Sequence, residues 1–292
     1  MNLLLKINLI LLTVFILGLL PSGYISYELL QKNAREQVLQ NARLMMEASL
    51  AMRGYTSKQI KPLLEAQLEQ EFLPQTVPSY SAVEIFNYLR ENYPEYTYKE
   101  ATLNPTNLRD LAKDWEADVV NEFRNHTDKK EIVGHREGPS GEYLYLAKPL
   151  KIANESCLTC HSTPEAAPAK MIEKYGSNNG FGWQMHEIVG AQIVSVPMSL
   201  PIQKANQAFK ILFGSLLVVF IVTLIVLNIL LHFIVIRPIK QLSAIADQIS
   251  TGNMDVEELQ VRGRDEVSML SASFNRMMIS LKKAIKLLED QE

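Results

Sequence analysis

Hydrophobic and polar positions divide the chain into two long apolar runs, a mixed segment between them and a periodic tail. Residues 7–20 carry no formal charge, and neither do residues 211–236 when His232 is neutral. A helix of about 20 apolar residues crosses the hydrocarbon core of a bilayer. The pattern therefore predicts membrane-spanning helices at 1–24 and 209–236. For the polar residue Asn228 we expect a helix–helix hydrogen bond or a position near the interface.

The first apolar run allows a second interpretation. A cleaved secretory signal ends in small residues at the cleavage site. Here the run continues through Pro21–Ser22–Gly23 into "YISYELLQ", without an A-x-A pattern. We interpret the run as an uncleaved anchor, with a cleaved signal as the alternative.

The basic residues beside the second run indicate an orientation. Arg237 and Lys240 follow it directly, and Arg262 and Arg264 come soon after. Short cytoplasmic segments are enriched in Lys and Arg. The sequence therefore predicts a two-pass protein of the cytoplasmic (inner) membrane with a cytoplasmic tail. Residues 25–208 would lie in the periplasm, or outside the cell where there is no outer membrane.

The tail, residues 237–292, shows two helical stripes joined by a connector. The first stripe stops at Gly252, a residue suited to a left-handed helix C-terminus. The second begins after Asp265–Glu266, acidic residues that the helix dipole favours at an N-terminus. Heptad-like spacing of this kind predicts a coiled coil. The apolar positions are Ile239, Leu242, Ala246 and Ile249, then Val267, Leu270, Phe274, Met277, Leu281, Ala284 and Leu288.

This tail resembles the HAMP linker of bacterial receptors, on Pro238, Gly252 and Asp265–Glu266. The resemblance implies a homodimer whose four helices form a parallel coiled coil that relays motion of the membrane helices. No phospho-acceptor helix, nucleotide-binding glycine loop or cyclase motif is visible in the sequence. We therefore expect no enzyme activity from this chain and a separately encoded kinase or cyclase as a partner.

The segment 25–208 mixes helical and strand patterns, which predicts an α+β fold. Helices are expected at 29–70, with a break at Pro62, and at 79–92, capped by Ser79 or Ser81. Further elements are strands at 95–104 and 187–198, helices at 108–125 and 164–176, and a hairpin over 130–152 around "GPSG". A long N-terminal helix before a mixed core between two membrane spans indicates a PAS-like extracytoplasmic sensor domain.

The only two cysteines of the chain, Cys157 and Cys160, stand in the loop "ESCLTCHSTPEAAPA", directly before His161. Cys-x-x-Cys-His is the attachment motif of haem c. The two thiols add to the two vinyl groups, and the imidazole of His161 becomes the proximal iron ligand. An extracytoplasmic position agrees with this chemistry.

Three other chemistries use the same residues. A dithiol that cycles between reduced and oxidised forms and a structural disulfide both suit an oxidising compartment. A zinc site would take Cys157, Cys160 and His161 and need a fourth ligand from elsewhere. The export topology and the lack of other cysteines favour one covalent haem c.

The external segment is also similar to a family of c-haem sensors with a PAS-like fold, the input domains of bacterial histidine kinases, diguanylate cyclases and HAMP receptors. The matching stretches, "MRGYTSKQIKPLL", "DWEADVVNEFR", "LYLAKPLKI", "CLTCHSTPEAAP", "YGSNNGFGW" and "VGAQIVSVPM", cover most of residues 40–200 in order. The resemblance implies haem binding and signal input.

At the second axial ligand of the haem, this sequence differs from the family that it resembles. One member of the family uses a cysteine there, and this chain has no third cysteine. We expect a Met, a His, another group or a vacant position. Candidates by residue type are Met45, Met46, Met52, His126, His135 and His186. Arg53 could pair with a haem propionate, and Trp115, Phe181 and Trp183 could wall the haem, although ordinary surface or core roles suit these residues equally.

The net charge of −3 gives no sign of a nucleic-acid partner. We therefore predict a membrane-bound haem c sensor of redox state or a diatomic gas, which signals through its HAMP segment. The alternative is a membrane-anchored c-type cytochrome that transfers electrons.

Overall fold

The computed structural model describes residues 3–139, 141–261 and 263–289. The chain forms two compact units. One comprises Ser26–Phe209, and the other comprises Met1–Ile25 together with Lys210–Glu292. The division between the two units, at 25/26 and 209/210, lies within one residue of the limits predicted for the domain 25–208. The domain limits themselves stay predictions.

The secondary structure combines long helices with one sheet. The helices are α1 Leu3–Tyr55, α2 Pro78–Asn92, α3 Asp114–Asn125, α4 Ala169–Tyr175, α5 Ser199–Leu231, α6 Arg237–Ser250 and α7 Glu266–Glu289. The strands are β1 Thr97–Thr102, β2 Ile132–Gly138, β3 Gly141–Lys151 and β4 Ile188–Pro197. Single helical turns lie at Lys61–Leu63, Glu65–Leu68 and Leu158–His161, 3₁₀ turns at Pro74–Thr76, Leu108–Asp110 and Glu155–Cys157, and π turns at Thr56–Ile60 and His232–Ile236.

The sheet has the antiparallel order β1-β4-β3-β2, and β4 is buried at every position. Alternate residues of a strand point to opposite faces. Leu144 and Leu146 pack with Met46 of α1 and Phe86 of α2 in one apolar cluster. Tyr145 and Ala147 point to the opposite face and pack with residues of α3 in the other cluster. The Ser26–Phe209 unit is thus a sheet with helices on both faces, as the α+β prediction required.

The strands and the hairpin are confirmed, whereas two helix starts are not. Pro78 at the first helical position begins α2, and neither Ser79 nor Ser81 caps it. The third helix begins at Asp114 instead of residue 108, because the Glu116 carboxylate accepts a hydrogen bond from the Lys113 N–H at 2.8 Å. The predicted helix at 164–176 is shorter, Ala169–Tyr175. In the hairpin turn, Ser140 lies outside the described residues.

The long first helix ends earlier than the pattern predicted. It contains Pro21 without a break and ends at Tyr55, followed by the π turn Thr56–Ile60. Proline cannot bond the carbonyl four residues before it, and for Pro62 that residue is Lys58. Lys58 lies inside the π turn, where the hydrogen-bond spacing differs. The effect of Pro62 therefore appears upstream of the proline itself.

Two described helical segments, Leu4–Leu63 and Ser199–Ser250, are long and apolar enough to cross a membrane. Within the unit that contains them, Asn8 and Asn228 exchange two amide hydrogen bonds of 2.9 Å each. This reciprocal pair confirms the helix–helix role expected for Asn228.

The tail forms the predicted helices. Gly252 follows α6 with φ +90°, and the Asp265 carboxylate caps α7 by accepting from the Ser268 N–H at 2.7 Å. The Asn275 side chain bonds both the N–H and the carbonyl of Leu259, which holds the connector against α7. Arg262 and the side chain of Leu288 lie outside the described residues.

Candidate functional site

The cysteine loop follows β3 and is built from two short turns. The Asn154 side chain accepts a hydrogen bond from the Ser156 N–H at 2.9 Å and starts the 3₁₀ turn that contains Cys157. The next turn, Leu158–His161, carries Cys160 and His161. Both thiols are free and half-buried.

The imidazole of His161 has a defined orientation. Its Nδ1 lies 2.7 Å from the Gly180 carbonyl, which can only accept, so Nδ1–H is the donor. Burial lowers the pKa of His161, and the bond to Gly180 opposes this only in part. The ring is therefore neutral, with its remaining lone pair on Nε2. A backbone carbonyl on one nitrogen is the usual way in which proteins prepare the other for a metal.

A glycine is required where that carbonyl is presented. Gly180 has φ +86°, and a Cβ there would collide with Thr106. Asn104 fixes the loop from both sides, since its Oδ1 accepts from the Gly180 N–H at 3.0 Å and its Nδ2 donates to the Phe181 carbonyl at 3.2 Å. The stretch "SNNGFGW" thus delivers one backbone oxygen to His161.

Trp183 packs directly on the histidine. The two rings are stacked with their centroids 3.9 Å apart at an angle of 13°, and the backbone N–H of Trp183 donates to the backbone carbonyl of His161 at 3.1 Å. The three aromatic residues that were expected to line a haem pocket thus lie in different parts of the domain. Trp183 belongs to the site and Phe181 contributes its backbone, whereas Trp115 lies on α3 against Tyr145 at 5.2 Å.

The cysteine loop interacts electrostatically with two cations near the end of α1, Arg53 and Lys61. Burial raises the pKa of Cys160, while Lys61 opposes that rise. Cys157 in turn contributes to the raised pKa of Arg53. The cysteine loop therefore lies within electrostatic reach of the segment around the π turn.

Arg53 is committed to a buried carboxylate. Its Nη1 bonds both oxygens of Glu100, whose side chain is 2% exposed. Tyr98 donates to Glu100 at 2.7 Å and accepts from Gln192 at 3.2 Å. Burial lowers the pKa of Arg53, but Glu100, Tyr98 and Cys157 together outweigh this and the net direction is upward. The structure therefore shows Arg53 paired within the protein instead of free for a propionate. The sequence marked Glu100 only as a residue within a strand.

The six candidates for a second axial ligand lie in different surroundings. Met46 is fully buried in the apolar core, and Met45 packs beside it. His126 lies 3.2 Å from Glu122, and His135 lies 3.2 Å from Glu142. Met52 is half-buried in the last turn of α1, and His186 is exposed with φ +67°.

The described geometry gives no support to a structural disulfide or a zinc site, whereas two free thiols are also the reduced form of a redox dithiol. Both thiols are free, so the structure contains no disulfide at this loop. Within the described ranges, no three His, Cys, Asp or Glu side chains come together as a metal site would require. Cys157, Cys160 and His161 thus do not converge on one point, which tetrahedral zinc would need.

Comparison with known proteins gives two family matches. Residues 31–197 match the model of the Tll0287-like family, and residues 230–283 match the HAMP domain. Among solved structures, the chain is similar to the crystal structure of the cyanobacterial heme-protein Tll0287. The identity is 17% and the TM-score 0.42, over 55% of this chain and 94% of that one. No curated protein matches the chain. The first family match spans more than half of the sequence, so the chain belongs to the Tll0287-like family, and a HAMP domain follows its sensor segment.

Proposed function

We propose that the protein is a membrane-anchored sensor that holds one covalent haem c in residues 25–208 and signals through its HAMP domain. The observation that carries the proposal is the preparation of His161. Its Nδ1 is bonded to the Gly180 carbonyl, its ring is stacked on Trp183, and Cys157 and Cys160 precede it at the attachment spacing.

The residues present fit such a group. Cys157 and Cys160 would hold it through thioether bonds, and Nε2 of His161 would be its proximal ligand. When bound, the haem supplies reversible one-electron chemistry and an iron that takes small diatomic ligands. The protein's own contribution is to keep His161 neutral and oriented, and to present both thiols directly before it.

The HAMP domain supports signalling as the output. In α7, Leu270, Met277 and Leu281 are 51%, 56% and 40% exposed, on positions of the predicted stripe. A second copy of the chain would cover them, which supports a homodimer through a four-helix coiled coil. We propose a cytoplasmic position for this domain, a periplasmic or extracellular one for the sensor segment, and a separately encoded kinase or cyclase as receiver.

The direct test is the absorption spectrum of the full chain, produced with a haem c maturation system and purified in detergent. We expect haem that survives denaturation and gives a c-type spectrum in alkaline pyridine. Cys157→Ala with Cys160→Ala should abolish this covalent haem. Thr159→Ala, an exposed position between the two cysteines, is the matched control. The proposal is contradicted if the wild type holds no haem. It is also contradicted if the double cysteine variant keeps covalent haem while Thr159→Ala loses it.

Carbon monoxide separates a sensor of diatomic gases from the two functions that need only the redox change of the haem, redox sensing and electron transfer. A spectrum of the reduced protein that changes with carbon monoxide indicates an accessible or displaceable sixth ligand and favours sensing. A spectrum that does not change leaves redox sensing or electron transfer. In His161→Gly the haem should stay covalently attached while its spectrum changes, and added imidazole should restore the spectrum.

A further inference from the structure

Apart from the cysteine loop, a cleft lies on the α3 face of the sheet, between that helix and the β2–β3 hairpin. Its volume is about 370 Å³. Small-molecule sites occupy about 300–1,000 Å³ and combine apolar walls with a few polar groups. The polar and aromatic lining consists of Trp115, Asp118, Glu122, His135, Arg136 and Tyr145.

Two glycines of β2 make room for aromatic rings of β3, of which Tyr145 lines the cleft. Tyr143 and Tyr145 are two positions apart on β3 and point to the same face. A Cβ at Gly134 of β2 would collide with the Tyr145 ring, and one at Gly138 would lie 2.7 Å from the Tyr143 ring. The absence of side chains at these positions lets both rings lie across β2.

Arg136 is held beside these rings with its buried Nε–H unpaired and without an ion pair to any described residue. Its guanidinium carbon lies 4.5 Å from the ring centroid of Trp115 and 5.7 Å from that of Tyr143. Among the described residues, the buried Nε of Arg136 has no hydrogen-bond partner. Cation–π contacts position a guanidinium but satisfy none of its N–H groups. An arginine that is held in place by ring contacts and has no ion pair to a described residue is suited to a carboxylate, which it binds through two parallel hydrogen bonds.

The charged residues that line the cleft restrict the chemical class of the ligand. Asp118 and Glu122 stand one turn apart on α3 and face one cation, Arg136. Lys129 and His126 already pair with Glu122, whereas Asp118 forms no ion pair with any described residue. The two carboxylates would oppose a simple anion, whereas an ammonium group would satisfy Asp118.

We propose that this cleft binds a small zwitterion of the amino-acid class. The carboxylate pairs with Arg136, the ammonium group faces Asp118, and the rest of the molecule lies on Trp115 and Tyr145. The cleft is separate from the cysteine loop. Tyr145 pairs with Ser195 in the sheet, whereas Leu150, next to the loop, pairs with Gly190. Five residues of strand correspond to about 16 Å, so the proposal does not depend on the haem.

Thermal unfolding of the full chain in detergent tests the proposal. Each common L-amino acid is added alone at about 1 mM, since a ligand of the native state raises the unfolding temperature. Calorimetric titration then compares the most stabilising amino acid with its decarboxylated amine and its deaminated acid. We expect both analogues to bind at least about tenfold more weakly, because each loses one of the two charges.

Substitutions of residues at the cleft test whether the amino acid binds there. Arg136→Gln should weaken binding at least about tenfold, since it removes the charged fork. Gly134→Ala should also weaken it by displacing Tyr145. Arg43→Gln, which removes an exposed arginine paired with Glu131, should bind as the wild type does. The covalent haem of all three should be unchanged. The proposal is overturned if no amino acid raises the unfolding temperature, if the amine binds as well as the amino acid, or if Arg136→Gln keeps wild-type affinity.

Discussion

The two units of the molecule are stabilised by different interactions. The Ser26–Phe209 unit buries apolar side chains on both faces of its sheet and hides an ion pair, Arg53–Glu100. The other unit leaves most of its large apolar side chains exposed, and side-chain amides, Asn8–Asn228 and Asn275, make its specific contacts. The first unit satisfies its interior within one chain. In the proposed function, lipid and a second copy of the chain would cover the apolar side chains that the second unit exposes.

Removal of the buried carboxylate should produce the largest effect. Glu100→Ala leaves Arg53 buried without a partner, and such a change costs about 3–5 kcal/mol of unfolding free energy. The two tryptophans of the chain, Trp115 and Trp183, both lie in the Ser26–Phe209 unit. Their fluorescence during denaturant unfolding of the full chain therefore reports on that unit.

An exposed ion pair provides the control for this prediction. Arg43 and Glu131 lie 2.7 Å apart, and the Arg43 side chain is 55% exposed. Glu131→Ala should cost no more than about 1 kcal/mol, as exposed pairs do. Equal losses in Glu100→Ala and Glu131→Ala would show that the buried network does not stabilise this unit.

Acidity should change the stability of the same unit. Burial raises the pKa of Asp110 from 3.8 to about 6, although Arg109 opposes the shift. A raised carboxyl pKa stabilises the folded state below pH 3.8, and this stabilisation is lost as the pH rises through 6. Asp110→Asn should therefore gain stability relative to the wild type between pH 4 and pH 7, by up to about 3 kcal/mol.

Tryptophan fluorescence in denaturant at several pH values measures this difference. The Asp110 side chain is 15% exposed, so solvent screens it little. A stability difference between wild type and Asp110→Asn that stays constant with pH would show that Asp110 does not titrate in this range.

The amide pair between the apolar helices should contribute less. Asn8→Leu, Asn228→Leu and the double variant form a cycle, and intramembrane hydrogen bonds couple by about 0.6–2 kcal/mol. We expect the double variant to lose less stability than the sum of the single ones, measured by helical circular dichroism during unfolding in sodium dodecyl sulfate. Thr223→Val removes a hydroxyl that bonds only its own helix at Val219, so it should show no coupling to Asn8. Additive effects of Asn8→Leu and Asn228→Leu would contradict the pairing.

The most local effect is expected in the HAMP connector, where only the exchange of one amide should change. Asn275→Ala removes both hydrogen bonds to Leu259, so the Leu259 amide should exchange its hydrogen about tenfold faster, which corresponds to about 1.4 kcal/mol. Ser273→Ala removes a hydroxyl bonded within α7, to Met269, and should leave Leu259 unchanged. Slow exchange in Asn275→Ala would mean that other contacts hold the connector.

Elements set by local pattern could be predicted from the sequence. The apolar helices, the β2–β3 hairpin and the end of α6 at Gly252 depend on neighbouring residues, and all three match the structure. The start of α2 was missed, although its signal, Pro78 at the first helical position, was present. The Cys-x-x-Cys-His motif identified the candidate site for the same reason, because its chemistry lies in five consecutive residues.

Pairings between distant residues could not be predicted. Arg53 and Glu100 are 47 positions apart, and His161 and Gly180 are 19 apart. Nothing near Arg53 in the sequence indicates that a strand will bring a carboxylate to it. The same holds for His161, since the carbonyl that orients its ring belongs to the backbone and has no side-chain signature.

The π turn His232–Ile236 adds one residue between the second apolar helix, α5, and α6 while nearly preserving the angular phase of the two helices. A π turn holds about one residue more than an α turn, whereas one residue of α-helix corresponds to a rotation of about 100°. Deletion of one residue here, with return to α geometry, would therefore leave the side chains of α6 at nearly the same angle about the helix axis. Deletion of one residue from α5, with the π turn kept, would instead turn every side chain of α6 by about 100° relative to the start of α5. The π turn is thus the place where this linkage can lose a residue without changing the direction in which the HAMP stripe points.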